Sequence, residues 1–351
     1  MSHISKARLS GLAAGFKRTA LSPENRTLVI TVAGVLAVVF IFVASNVAAN
    51  HEPRPHDLPV GVVGPPQLVS ATARQLDRRA PGAFQILGYR SPSAARTAIL
   101  HRSVYGAFDQ GPPPSLLTAD AASLPVATLL QETFGAAARA QGAPLVVHDL
   151  VPLPPTDPNG GTAFSATLSL IIAGVLGSSM LYLITRRRAL AVHLSAVIAL
   201  GIGAGLLTAV ATNIVIGAFH GQFLPIWGVA ALFVLAVALP IAFFQRLLGL
   251  PGTGVGLLVF IIVGDPSSGG STAPQLLPDP WRAISQALPP GAAATAMRDV
   301  VYFHGYGATR ALIVLGIYAA LGAILAIITD RIRTGAPAAT SGGQPADNPA
   351  R

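Results

Sequence analysis

Apolar residues in this chain come in long uninterrupted blocks, interrupted by one polar region of over a hundred residues. The first block, Thr27–Ala49, carries no charge and is long enough for the ~20 residues that cross a bilayer core. Further uncharged runs occupy Phe164–Thr185, Ala189–Gly217, Phe223–Phe244, Gly252–Gly264 and Ala311–Thr329, so the pattern predicts six transmembrane helices. The fifth run has only about 13 residues and is short for a crossing at ~1.5 Å per residue. It needs Leu247–Pro251, or residues beyond Gly264, to complete its path. Ser22, Pro23 and Glu24 read as a helix start, with a serine cap, proline at the first helical position and an acid in the first turn. The first run is too long and begins too late for the apolar core of a signal peptide, although "VAAN" after it has the small residues of a cleavage site.

Between the first two blocks, residues 50–163 alternate short β-branched runs with helical patterns. Leu58–Gly64, Ala83–Tyr89, Val104–Asp109, Ser115–Ala119 and Pro144–Val151 read as strands. Gln67–Ala80, Ser91–Arg102 (Ser91 as cap, Pro92 next) and Leu124–Gly142 read as helices. Strands alternating with helices imply one small α/β sheet. Residues 1–26 place Ile4, Leu9, Leu12, Ala13 and Phe16 near helical spacing among Lys6, Arg8, Lys17 and Arg18. That pattern fits a cytoplasmic amphipathic leader lying on anionic lipid, the blander reading being a disordered basic segment. The tail 335–351, "GAPAATSGGQPADNPAR", has no residues with which to build a core and is expected to be disordered.

Composition agrees with this picture: 11% of residues are charged, 52% are hydrophobic and the net charge is +9. Orientation follows from where the arginines fall in short loops. Lys6, Arg8, Lys17, Arg18 and Arg26 precede the first span, Arg186, Arg187 and Arg188 separate the second and third, Arg246 separates the fourth and fifth, and Arg331 and Arg333 follow the sixth. With six spans all four clusters lie on one side. The expectation is therefore a multi-pass protein of the plasma membrane, with both termini cytoplasmic and the α/β domain extracytoplasmic. Without aromatic interleaving or zinc spacing, the basicity argues for topology and against nucleic acid. Cysteine is absent, which removes disulfides and thiolate chemistry.

The polar region offers little catalysis. Its acids, Glu52, Asp57, Asp77, Asp109, Asp120, Glu132, Asp149 and Asp157, show no close pair, and no serine sits in a GxSxG elbow. His51 and His56 lack a third metal ligand at clear spacing. No charged position falls inside the six spans as drawn, so no ion-relay residue is expected at mid-membrane depth. Asn213, Ser178, Ser179 and Tyr182 are the main polar groups within spans, His193 and His220 lie near the ends of the third, and the glycines 201, 203, 205, 252, 254 and 256 suit close helix contact. No phosphate-cradling loop precedes either lysine, so the chain carries no cofactor signature and any ATP is hydrolysed by another chain.

The remaining segment, 265–308, begins "DPSSGGS" just after Gly264 and continues through Asp279-Pro280-Trp281, Pro289-Pro290, Arg298 and Tyr302. It reads as a turn cluster and two short helices hinged at prolines, a re-entrant hairpin whose irregular backbone needs cover by protein or water. Asp265, Ser267, Ser268, Gly269, Gly270, Trp281, Arg298 and Tyr302, with Asn213, are its candidate substrate-path residues. Hydrolysis of lipid by Asp265, Ser267 and Ser268 is the minor alternative, since such residues beside Pro and Gly usually form caps and turns.

One span, a large α/β domain and five further spans with this hairpin before the last resemble the membrane subunits of type-2 ABC exporters, in the branch containing the phage-infection-protein family. Asp265, Pro266, Ser267, Ser268, Gly269, Gly270, Leu277, Pro278, Pro289, Pro290, Arg298, Tyr302 and Gly305 carry the match. The resemblance implies a permease working as a homo- or heterodimer and a separate ATPase docking from the cytoplasm; the leading expectation is export of an amphipathic or lipid-like substrate, and with no catalytic signature the chain is not expected to be an enzyme. Arg186, Arg187 and Arg188 are the candidate coupling residues, although the loop "RRRA" is shorter than the family's coupling loop. A cell-envelope anchor whose α/β domain binds a surface partner is the competing reading. In this cysteine-free chain, cysteines introduced at Gln110 or Gln286 are expected to react with an impermeant thiol reagent applied outside intact cells. Labelling only after the cells are opened would overturn the orientation.

Overall fold

The structure, a computed structural model, describes residues 23–140, 142–219 and 221–335. Residues 1–22, which hold most of the predicted leader and the predicted cap Ser22, lie outside the described residues, as do Gln141, His220 and the tail after Gly335. The first apolar block is one helix, α1 (Pro23–Asn50), with Glu24 in its first turn. The chain divides after Ser45 into two compact units, the second beginning at Asn46.

In the second unit the alternating pattern becomes β1 (Leu58–Val63), α2 (Pro66–Arg79), β2 (Phe84–Tyr89), α3 (Pro92–Leu100), β3 (Gly106–Asp109), β4 (Ser115–Thr118), α4 (Leu124–Ala140) and β5 (Val146–Asp149). The strands form one sheet in the order β2-β1-β3-β4-β5. β1 runs parallel to both β2 and β3, β3 and β4 are antiparallel with Gly106 opposite Thr118, and β4 and β5 are parallel. Leu58, Val60 and Val62 on one face and Gly61 and Val63 on the other are all buried, which explains the continuous rather than alternating apolar run in β1. The start of α3 is set as its sequence indicates, Ser91 Oγ accepting the Ala94 N–H at 3.2 Å ahead of Pro92. Phe108 of β3 and Phe134 of α4 stack at 4.6 Å in the core of this layer.

The apolar blocks become α5 (Gly161–Thr185), α6 (Leu190–Val210, continued by a π-helical turn Ala211–Val215), α7 (Phe223–Leu248) and, at the far end of the chain, α11 (Ala308–Gly335). With α1, these are five helices long and apolar enough to cross a membrane. The fifth predicted span does not reach that length. α8 (Pro251–Gly256) and the π-helical stretch Leu257–Val263 together hold 13 residues, about 20 Å, beside the 26-residue α7 at about 39 Å. The chain then continues as short pieces: the 3₁₀ turns Pro266–Ser268 and Pro274–Leu276, α9 (Trp281–Ser285) and α10 (Pro289–Tyr302). The proline pair heads α10 instead of preceding it, because its missing N–H groups cost nothing in a first helical turn.

α7 is the axis of the bundle. Ile226, Phe233, Val234, Val237 and Ile241 are all fully buried among α5, α6, α10 and α11. Small residues set the spacing: a Cβ at Gly205 would lie 2.7 Å from the Ala231 N, and one at Gly201 2.8 Å from Leu235, whereas Gly203 faces open space. Likewise Gly252 and Gly256 abut Phe244 and Ile241 of α7 while Gly254 touches nothing. Of each glycine triplet only the outer two make the contact, because residues four apart share a helix face and the middle one points away. At the loop end of the bundle, Thr185 Oγ1 and His193 Nδ1 lie 2.7 Å apart, Arg246 pairs with Asp330 at 3.3 Å, and Arg333 donates to the Arg246 carbonyl. Gly205→Leu is therefore expected to lower the melting temperature of the detergent-solubilised protein by several degrees, as overpacking costs about 1–3 kcal/mol, with Gly203→Leu unchanged. Equal effects in a thermal-shift assay would contradict this packing.

Candidate functional site

The hairpin belongs to two cores at once. Ala292, Ala293, Ala296, Met297 and Val300 of α10 are buried in the bundle core, whereas Ala273, Leu276 and Phe303 are buried in the core of the α/β layer. Half-helices make this possible. A Cβ on Gly264, at the end of the 13-residue rising segment, would lie 2.7 Å from Pro290 Cγ at the start of α10, so the two prongs meet inside the bundle. α10 then leads to Tyr302 and Phe303 at the α/β layer.

An irregular backbone so enclosed has to find partners for its polar groups, and the "DPSSGG" turn supplies them itself. Ser267 Oγ donates to the Gly264 carbonyl at 3.0 Å, and Ser268 Oγ accepts the Gly270 N–H at 3.2 Å. Arg298 Nη2 donates to the Gly270 carbonyl at 2.6 Å, tying the turn to α10. Gly269 has φ 63, a backbone conformation that side-chain-bearing residues avoid. Asp265 is buried, only 8% exposed, although in the linear sequence it falls just outside the fifth run. The structure thus encloses a carboxyl that span boundaries drawn on the sequence leave outside.

A second set of contacts fastens the α/β layer to the hairpin. Arg102 Nε donates to Asp299 Oδ1 at 2.8 Å, both side chains being almost fully buried, and its guanidinium lies over the rings of Tyr105 and Phe303 at 5.2 and 4.8 Å. The Tyr105 hydroxyl donates to Gln275 Oε1 at 2.9 Å and the His56 N–H to the Gln275 carbonyl at 2.9 Å. Tyr302 OH donates to Asp157 Oδ2 at 3.2 Å, while the same carboxylate accepts the N–H groups of Gly161 and Thr162 and so caps α5. Arg282 reaches Asp57 at 3.0 Å and Asp279 at 3.1 Å, and its hydrogen bond holds the Asp279 carboxyl below the usual range. Arg102 and Asp57 both have left-handed backbones, φ 63 and 49, a strain the cross-layer bonds hold in place.

Of the residues singled out in the sequence, Asp265, Ser267, Ser268, Gly269, Gly270, Arg298 and Tyr302 gather along this hairpin. Trp281 lies apart from them, in an open groove of about 440 Å³ with His51, His56 and Pro278. Asn213 sits in the π-helical turn of α6, where Nδ2 donates to the Ala209 carbonyl at 3.0 Å and Oδ1 is buried with no partner among the described residues. It approaches the hairpin indirectly, since Phe219, whose N–H is held by the Thr212 carbonyl, meets Tyr302 edge-on at 6.1 Å. Arg186, Arg187 and Arg188 are exposed in a single turn at the opposite end of α5. Among the described residues no group of three histidine or acidic side chains is placed to hold a metal.

Sequence reasoning missed Arg102, Asp157, Gln275 and Asp299, which lie as far as 197 positions from their partners. One signal was present: Arg298-Asp299 is the only charged pair inside the apolar "GAAATAMRDVVY". The acids, which show no close pair in sequence, also include two that folding brings together, the Asp120 N–H donating to Asp149 Oδ1 at 3.1 Å. Burial and the Asp149 charge push the Asp120 carboxyl up. The α/β layer further holds an apolar cavity of about 350 Å³ between α2 and α4, lined by Leu76, Phe84, Phe108, Leu129 and Phe134 with Arg79 and Gln110 at polar positions.

Comparison with protein-family profiles, curated proteins and solved structures finds no match for this chain. The fold and the hairpin therefore define it as a helical protein with membrane-spanning capacity and a small α/β layer. Asp299→Ala and Arg102→Met are each expected to destabilise the protein by roughly 3–5 kcal/mol, because each strands a buried partner, while the double variant recovers most of the loss. Additive losses, measured by thermal denaturation in detergent, would show that the two side chains are not coupled.

Proposed function

We propose that this chain is the permease-like subunit of an ABC-type exporter in the plasma membrane, moving an amphipathic or lipid-like substrate outward while a separate chain hydrolyses ATP. The observation that carries the reading is the hairpin 265–308, which enters the bundle as half-helices and contributes to the α/β core at its other end. A polar, turn-rich backbone inside an apolar bundle is tolerated where protein covers its polar groups or where it lines a water-filled path, and the exporter reading takes the hairpin to do both. The apolar cavity of the α/β layer supports an amphipathic cargo, since it has room for a hydrocarbon moiety beside Arg79 and Gln110. On this reading the subunit has both termini in the cytoplasm, works as a homo- or heterodimer, and passes cargo along Asn213, Tyr302 and the Asp265–Gly270 turn.

One feature favours a second reading, a non-transporting envelope protein whose α/β layer binds a surface partner. The turn Arg186–Ala189 leaves little surface for an ATPase to push against, and α7 is buried over more than half its span. Purification from native membranes separates the two. An exporter subunit is expected to bring down an ATPase whose hydrolysis rate changes on reconstitution with this chain, and Arg187→Glu is expected to weaken that association. A preparation in native lipid that repeatedly carries no ATPase would leave the anchor.

A further inference from the structure

The face where the α/β layer meets the hairpin holds a polar, partly open cavity of about 250 Å³. Three arginines line it, Arg102, Arg298 and Arg310, against one acid, Asp299. Two positive charges are therefore left over, and Arg102 is the arginine that Asp299 neutralises. Arg298 is more than nine-tenths buried, yet of its three guanidinium nitrogens only Nη2 has a protein acceptor among the described residues. Its remaining guanidinium N–H groups open onto the cavity rather than being sealed in protein, where an anion or ordered water can take them. One other polar group in the wall adds to the donors. Gln275 Oε1 already accepts from Tyr105, which leaves its amide N–H groups for the cavity, whereas the Gln286 amide already donates to Ser285 Oγ at 3.2 Å and to the Gly291 carbonyl at 3.4 Å.

We propose that this cavity binds a phosphate-type oxyanion, held by Arg298 and Arg310 with Gln275 as a further donor. Planar guanidinium groups match two oxygens of such an anion at once, whereas a carboxylate-poor wall offers a cation nothing. The pair Arg102–Asp299 keeps its own charges matched and positions the wall. Neither transport nor an ATPase enters this assignment, so it stands or falls separately from the exporter reading. The anion is either free phosphate or the phosphate headgroup of an amphiphile, and the cavity's chemistry is the same for both.

The test uses the full-length protein in nanodiscs of zwitterionic lipid. Binding of inorganic phosphate is measured by calorimetry, and binding of short-chain phosphatidic acid by native mass spectrometry with short-chain phosphatidylcholine as the comparison. Arg310→Gln, an exposed position, and Arg298→Gln are each expected to weaken binding about tenfold or more, the usual loss for a charge-assisted hydrogen bond. Arg96→Gln, an exposed arginine on α3 away from the cavity, controls for loss of charge alone. Phosphate and phosphatidic acid both binding identify a free-anion site, and phosphatidic acid alone identifies a headgroup site. No binding of either probe, or binding that Arg96→Gln weakens as much as Arg310→Gln does, overturns the proposal. Matching melting temperatures for wild type and Arg310→Gln keep the result independent of folding.

Discussion

A carboxylate and a guanidinium adjacent in sequence, Asp299 and Arg298, are carried by α10 to the edge of an apolar bundle, and the rest of the second unit is arranged around answering them. Asp299 is nearly inaccessible and is met by Arg102 from the α/β layer. Arg298 is met by a carbonyl of the "DPSSGG" turn. Charges buried this way contribute little net stability, since desolvation offsets most of their attraction, but each is strongly destabilising when left alone. That asymmetry makes them registering devices: the α/β layer, the turn and α10 are all satisfied in one mutual arrangement.

The packing around them has the same economy of form. The hairpin is too short and too polar to be a transmembrane helix and too apolar to be a loop, so it lends residues to both neighbouring cores. Glycines at four-residue spacing bring α6 and α8 against α7 closely enough that side chains on the axis are fully buried. The two π-helical turns, Ala211–Val215 and Leu257–Val263, fall on the segments that lead into Phe219 and Asp265. Such turns occur where a helix must redirect its side chains, often near a working site.

Both ends of the second unit carry arginines. One end holds the exposed Arg186–Arg188 turn with Arg246, Asp330 and Arg333. The other holds the α/β layer and a cavity in which arginines outnumber acids. An apolar bundle separates two cationic regions of different character, one an exposed turn and one a partly open cavity. Into the second of these Arg298 offers guanidinium N–H groups beyond the one that Gly270 accepts.

Much of this was legible in the chain. Long uncharged blocks have no other stable setting than helices, since an apolar run of that length cannot be covered by a small soluble core, and all but the fifth became helices of crossing length. Alternating short runs gave the five strands and three helices of the α/β layer within a few residues, because caps and turn residues act locally. The fifth run was readable as too short, and the glycine triplets as contact surfaces, though which glycines touch depended on helical phase. Sheet order, the burial of Asp265 and the meeting of Arg102 with Asp299 were decided by tertiary structure alone. A pairing across 197 residues leaves no periodic trace, because its energy comes from desolvation and geometry that exist only once the two surfaces have closed.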